Sequence, residues 1–278
     1  MEKGTPSLGP VIVTGGCGFI GFHLVTDILA SEPSCRIHVM DINIDHNQIP
    51  NVKYPRCDIT SPTAKVNTDG VHNLLHLAKR SNAVRTFINT SITYNLTKAI
   101  AEAEVLTTNR TDGDTSLLTV PIRPASTFGE RESSKDTCRE TKIPDRVVEN
   151  LGDFICVADL VDAHILAAHL RVDGQCLNVT NDESMRFWDF QRAVSVPVGP
   201  PVHQGDICIV IICVAYLTAA ISEWQPVITR ESVRLTTIIK TLSCEKAKAV
   251  LNYKPRVSMQ EGLDRTGQWF TEESKREG

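Results

Sequence analysis

The stretch Val11-Ile-Val-Thr-Gly-Gly-Cys-Gly-Phe-Ile-Gly21, followed 20 positions past its last glycine by Asp41, decides the fold. Val11, Ile12 and Val13 form the short apolar run of a buried strand. Leu24, Val25, Ile28 and Leu29 recur at helical spacing, so the segment after the turn is a helix with one apolar face. The glycines between them fit both Gly16-x-Gly18-x-x-Gly21 and Gly15-x-x-Gly18-x-x-Gly21. A bare pattern of this kind is weak evidence. Here a strand precedes it, a helix follows it, and an acid closes a second strand, Arg36 to Met40, and that context describes a dinucleotide site. Glycine lets the chain turn tightly and lets a pyrophosphate approach the backbone, where the helix dipole meets its charge. A carboxylate at Asp41 accepts hydrogen bonds from a ribose 2′-hydroxyl and repels a 2′-phosphate, so the expected cofactor is NAD rather than NADP.

Outward from this unit, Asn51 to Thr60 reads as a short strand ending in Cys57-Asp58-Ile59, and Val66 to Arg80 as a helix. Strands over Val84–Asn89 and Thr115–Ile122 flank a helix over Tyr94–Asn109, and Arg123-Pro124 stops the second of them. Phe128 to about Arg146 is a polar loop. Ala158–Leu170 returns to helix and Gln175–Val179 to strand, with helical patterns near 186–195, 243–251 and 259–272. Alternation of this kind predicts an α/β protein, a Rossmann-type doubly wound parallel sheet with a small C-terminal substrate lobe. The dinucleotide-binding core is expected over 1–125. The remaining sheet elements and the lobe follow over 126–278, all in one continuous structural unit.

With 278 residues and 41% hydrophobic content the chain can bury a full core. A net charge of −4 without a lysine or arginine cluster excludes nucleic acid as a partner. Nine cysteines without a C-x-x-C pair, and no signal peptide before the first strand, predict a reduced, cytoplasmic setting. His72 and His76 share a helix face but lack the glutamate of a zinc protease motif, so no metal is expected. The apolar stretch Ile207–Ile221 is too short to span a bilayer. It reads either as a buried helix or pocket wall, or as a segment resting on a membrane where a lipid-like substrate resides.

Tyr94-Asn-Leu-Thr-Lys98 places a phenol and an ammonium on the same side of a helix. A fixed cation favours the phenolate and brings proton transfer closer to neutral pH. Lys98 can also donate hydrogen bonds to a nicotinamide ribose. Ser91, at the C-terminal end of the preceding strand, can hold the substrate oxygen while Tyr94 exchanges its proton.

These residues resemble the 3β-hydroxysteroid dehydrogenase family of extended short-chain dehydrogenases, most closely its fungal sterol-4α-carboxylate 3-dehydrogenase (decarboxylating) branch. The resemblance is carried by Thr14 to Gly21, Cys57-Asp58-Ile59, Val66 to Leu75, Tyr94 to Lys98 with Ala99 and Glu102, and Arg123-Pro-Ala. It continues through Phe128 to Arg131, Asp159 to His164, Asn181 to Glu183 with Phe187 to Phe190, and Ser243 to Ala247 running to Trp269-Phe270. It implies NAD-linked oxidation of a 3β-alcohol on a sterol or terpenoid, with loss of a neighbouring carboxyl as CO₂. It further implies cofactor contacts from Gly15, Gly18, Phe19, Ile20, Gly21, Asp41, Asp58, Ile59 and Lys98, and catalysis by Ser91, Tyr94 and Lys98. A homodimer and an association with the endoplasmic reticulum membrane through 207–221 belong to the same expectation.

Two blocks of the family pattern are missing. No apolar run separates Ile59 from Ser61-Pro-Thr-Ala64, where the family places a helix and a fourth strand that lies beside the first. Its loss leaves the first strand with an unpaired edge unless Val84–Asn89 moves in. The second gap lies between Ser91 and Tyr94; it strips cover from the nicotinamide, and Ser91 or Thr93 then stands in for the family's serine. Two alternatives follow: a ketoreductase or dehydrogenase of fungal secondary metabolism, and an inactive truncated relative acting as a binding subunit.

Overall fold

A computed structural model of the chain describes residues 7–59, 66–81, 83–91, 96–110, 117–132, 150–195 and 238–277. Tyr94, the 61–64 remnant, most of the polar loop after Phe128 and the apolar stretch 207–221 lie outside the described residues. In chain order the elements are β1 (Val11–Thr14), α1 (Phe19–Ser31) and β2 (Ile37–Met40). A π-helical turn (Val66–Gly70) leads into α2 (Val71–Ser81), followed by β3 (Thr86–Thr90), α3 (Leu96–Thr108), β4 (Leu118–Pro124) and β5 (Ser126–Phe128). Then come β6 (Leu151–Cys156), α4 (Val157–Leu170), β7 (Leu177–Val179), β8 (Ser184–Arg186), α5 (Phe187–Ser195), α6 (Glu245–Leu251) and α7 (Met259–Glu277).

The strand expected over 51–60 does not form. Only isolated parallel bridges, His38 to Lys53 and Asp41 to Arg56, lie there. Pro50 and Pro55 each remove a ladder donor, and Asn51 turns into the left-handed region with φ +67°.

The chain divides into two compact units that interleave in sequence. The first comprises Met1–Thr127, Ile155–Thr180 and Ser243–Val257, and the second Phe128–Phe154, Asn181–Leu242 and Ser258–Gly278.

In the first unit β1 and β2 pair in parallel, from Val11 opposite Ile37 to Thr14 opposite Met40. β3, β4 and β7 form a separate parallel sheet, with Thr86 opposite Leu118 and Ile122 opposite Leu177. Among the described residues nothing pairs with the outer edge of β1. β3 pairs with β4 and does not move in beside that edge. Ile12 on the uncovered face is 61% exposed, and with Pro10, Val11, Arg36 and His38 it lines a shallow hollow of about 310 Å³.

Helices join the two pieces. Val25 and Ile28 of α1 bury against Val13, Ile37 and Val39, and Ile165 of α4 packs onto the same cluster. Ile20 of α1 packs instead on the larger cluster formed by Val120, Ile122, Leu177 and Val179 of the second sheet with Leu160, Ala163 and Ala167 of α4. The opposite face is covered by α2 and α3, through Val71, Leu75, Ala101 and Val105 against Phe87. Each fully buried Val, Leu or Ile in these layers is worth about 1.5–3 kcal/mol. The doubly wound arrangement, with helices on both faces of the strands, is that of a Rossmann-type α/β unit.

In the second unit β6 pairs antiparallel with β8, Leu151 opposite Arg186. Phe154 stacks on Phe190 with ring centroids 3.7 Å apart, and Phe128 meets Phe190 edge-on at 5.2 Å. The Asp153 carboxylate accepts the Ser184 hydroxyl and the Leu242 amide, each at 2.6 Å.

Candidate dinucleotide and catalytic site

The turn between β1 and α1 is built by backbone. Gly15 has φ +68°, a conformation that favours glycine, and its amide donates to the Met40 carbonyl at 2.8 Å. A side chain at Gly21 would overlap the Gly15 carbonyl and the Gly16 backbone. The Gly18 amide folds back to the Gly15 carbonyl at 3.1 Å, and the Phe22 amide donates to the Gly18 carbonyl at 2.9 Å to start α1. Gly18 offers no capping side chain, and the first turn of α1 holds no acid. Its N-terminal amides and the positive end of its dipole therefore meet no side-chain oxygen from its own cap.

Asp41 faces this turn. One carboxylate oxygen accepts the Cys17 amide at 3.0 Å and the other the Asn43 amide at 3.1 Å. The Asn47 amide donates to the Cys17 carbonyl at 2.8 Å from a left-handed backbone, φ +52°. Both ends of the Cys17 residue are thus clamped, one by the expected acid and one by a residue that sequence reading did not single out. Only the tolerance of asparagine for the left-handed region marks Asn47 in advance. The Asp41 carbonyl accepts the Cys57 amide at 2.9 Å, which sets Asp58 and Ile59 beside the turn's acidic arm. Ile59 is anchored in turn by Asn73, whose amide donates to its carbonyl at 3.0 Å. Of the expected cofactor residues, Gly15, Gly18, Phe19, Ile20, Gly21 and Asp41 come together, with Asp58 and Ile59 adjoining them.

A second cluster surrounds the end of β3. Ser91 is fully buried, and its amide donates to the Ile122 carbonyl at 2.8 Å. Its hydroxyl makes no hydrogen bond among the described residues. Glu102, on α3, receives a forked pair of hydrogen bonds from Arg123, from Nε at 2.8 Å and from the terminal nitrogen. Burial pushes the Glu102 carboxyl up. The hydrogen bonds and charge of Arg123 foremost outweigh that, leaving it below the usual range. The Cys176 thiol beside it is raised to about 11 by burial and by the Glu102 charge, so it is inert. Lys98 is half-buried, makes no hydrogen bond or ion pair among the described residues, and is lowered by burial. Ser91 and Lys98 are therefore placed at the β3–α3 junction, while Tyr94, lying between them in sequence, is outside the described residues.

The sequence profile of the 3-beta hydroxysteroid dehydrogenase/isomerase family matches residues 12–93 and 80–206. The chain belongs to this family. Among its relatives, the sterol-4-alpha-carboxylate 3-dehydrogenase (decarboxylating) of Saccharomyces cerevisiae is 26% identical over 94% of this chain and 98% of its own length. The enzyme of the same name from Candida albicans is 27% identical over 96% of this chain and 99% of its own. The yeast alignment runs over 354 positions although this family member has 278 residues, so the relative carries internal segments that this chain lacks. Solved structures agree in fold. A dTDP-glucose 4,6-dehydratase from Bacillus anthracis in complex with NAD matches with a TM-score of 0.69 at 16% identity, covering 96% of this chain and 98% of that one. A UDP-glucose 4-epimerase from Thermotoga maritima matches with a TM-score of 0.68 at 19% identity, covering 95% and 99%.

Proposed function

We propose that the protein binds NAD at the glycine turn and oxidises the 3β-hydroxyl of a sterol or terpenoid that carries a 4-carboxyl group, which leaves as CO₂. The observation that carries this reading is the Asp41 carboxylate, fixed on the Cys17 amide at the uncapped start of α1, in a chain of the 3β-hydroxysteroid dehydrogenase family. The fit to a dinucleotide is physical. Gly21 lets the start of α1 lie directly against the Gly15 and Gly16 backbone of the turn, the helix start offers amides to phosphate, and Asp41 offers an acceptor to a ribose 2′-hydroxyl. That acceptor disfavours a 2′-phosphate, hence NAD over NADP. When bound, NAD supplies the acceptor for the hydride that leaves the alcohol carbon.

The chain's own part is proton handling. Tyr94, as phenolate, takes the hydroxyl proton, and Lys98 four residues on holds that phenolate at near-neutral pH by its charge. Burial has already lowered the Lys98 ammonium, which makes it a cation responsive to a neighbouring anion. The ketone formed at C3 makes the 4-carboxylate a β-keto acid. The bond between C4 and the carboxylate breaks, its electron pair passes to the C3 oxygen as an enolate, CO₂ departs, and a proton returns to C4. A sterol arrives from a membrane, and 207–221 is the stretch proposed to rest on the endoplasmic reticulum surface. No helix among the described residues is long and apolar enough to cross one.

Purified protein given NAD and a 3β-hydroxy-4α-carboxy sterol should form NADH and CO₂ in equal amounts. Asp41→Ala should weaken NADH binding about ten- to a hundredfold, as expected for losing a hydrogen bond to a charged group, and should narrow the preference over NADPH. A second reading is favoured by the enclosure of Ser91: a subunit that binds dinucleotide without turnover. Fluorescence titration with NADH separates the two, since binding with no product from any sterol supports the second.

A further inference from the structure

Gly15, Gly16 and Gly18 give the turn before α1 no side chains with which to hold its own peptide planes, and glycine has the most conformational freedom to lose. A turn that presents amides to a phosphate therefore needs its planes fixed from outside. Among the described residues two side chains do this, and both act on Cys17. One Asp41 oxygen accepts the Cys17 amide at 3.0 Å, which fixes the peptide plane between Gly16 and Cys17. The Asn47 side-chain amide donates to the Cys17 carbonyl at 2.8 Å, which fixes the plane between Cys17 and Gly18. The amide of that second plane closes back on the Gly15 carbonyl at 3.1 Å. Just beyond it α1 begins at Phe19, and the amides of its first turn have no acceptor within the helix.

Asn47 is itself held in place. Ile44 and Ile49, on either side of it, pack on the cluster that contains Cys17 and Val39. The Gln48 side-chain amide donates to the Ile44 carbonyl at 2.7 Å, and the Ile49 amide donates to the Tyr54 hydroxyl at 2.7 Å. The backbone of Asn47 stands in the left-handed region at φ +52°, which asparagine tolerates better than most residues. The two contacts on Cys17 also differ in reach. Each Asp41 oxygen accepts one amide and a carboxylate oxygen can accept two hydrogen bonds, so Asp41 still has capacity for a ribose hydroxyl.

We propose that Asn47 is a positioning residue of the dinucleotide site: it sets the Cys17–Gly18 peptide, and through it the first amides of α1, for the pyrophosphate, while Asp41 couples the same turn to the ribose. This rests on the dinucleotide reading above. A glycine turn left free has to be ordered when the ligand arrives, and that ordering lowers affinity.

The test titrates NADH by fluorescence and displaces it with ADP-ribose, which carries the pyrophosphate, and with adenosine, which does not. It compares the full wild-type chain with Asn47→Gly, Asn47→Asp, Asp41→Ala and the double variant N47G/D41A. N47G keeps the left-handed backbone and removes the donor. It should weaken NADH and ADP-ribose about three- to tenfold, the usual worth of one hydrogen bond, leave adenosine within about twofold, and lower Tm by no more than about 5 °C. N47D keeps the shape and the tolerance for that backbone but sets a carboxylate against a carbonyl, so it should lose more than N47G on the same two ligands; it decides the question if N47G does not fold. D41A should weaken all three ligands, adenosine included. Because both side chains act on one residue, the N47G and D41A effects on ADP-ribose should depart from additivity by about threefold or more. Equal losses on adenosine and ADP-ribose overturn the proposal, as do unchanged affinities in N47G and N47D or additivity in the double variant. A wild-type chain that binds neither NADH nor ADP-ribose overturns the dinucleotide reading itself, and this proposal with it.

Discussion

At Gly21 an added methyl group would land on the Gly15 carbonyl and push α1 away from the turn it must touch. Gly21→Ala should therefore weaken NADH binding about tenfold or more and lower stability by about 1–3 kcal/mol, the usual penalty for overpacking; fluorescence titration and thermal melts measure both. This residue was legible in the sequence, because a glycine motif records a steric demand directly. Asp41 was legible too, as the acid at the end of the second strand. Asn47 was not: its hydrogen bond to Cys17 spans 30 positions and depends on a loop conformation that no periodicity encodes.

Among elements, β1, α1, α2, α3, β4, α4 and β7 follow from apolar periodicity, and their observed bounds lie within a few residues of expectation. β6 and β8 do not: β6 follows a charged stretch of sequence without periodicity, and β8 is Ser-Met-Arg, too short and polar to show alternation. The joint between β3 and α4 carries a pH dependence. Burial holds the His164 imidazole below its ordinary range, against the smaller opposing effect of the Leu160 hydrogen bond. Both its nitrogens are committed to the neutral form, Nδ1 donating to the Leu160 carbonyl at 2.8 Å and Nε2 accepting from the Thr90 hydroxyl at 2.9 Å. Below the ordinary histidine value of about 6.5 the unfolded chain binds a proton that the native one refuses. Stability should thus fall as pH drops from about 6.5, by at most about 1.4 kcal/mol per unit from this group. Asp27, Asp159 and Asp162 are raised chiefly by burial, so at lower pH they push the other way. Urea unfolding at several pH values isolates the histidine: His164→Gln should flatten the slope between pH 5 and 7 relative to the wild-type chain, although it lowers stability throughout.

For the molecule as a whole, the block missing after Ile59 matters more than any single site residue. Its consequence could not be read from the family pattern. Either β3 could close the gap or the edge could stay open, and only the observed pairing of β3 with β4 separates them. Four residues of β1 offer backbone groups and an exposed Ile12 on a bare face, the combination that invites strand-to-strand association. Ile12→Lys should raise the concentration at which the protein self-associates, measured by light scattering, and leave NADH affinity within about twofold, since the side chain points away from the core that supports the turn.

Because no ladder joins β1 to β3 among the described residues, the glycine turn and β3 are coupled by greasy helix contacts, chiefly Ile20 and Ile165, rather than by a stiff lattice of amides. Two such halves can breathe independently. Amide deuterium uptake at 11–14 and 37–40 should accordingly proceed through an opening of lower free energy than uptake at 86–90 and 118–124, and saturating NADH should slow the first set far more than the second.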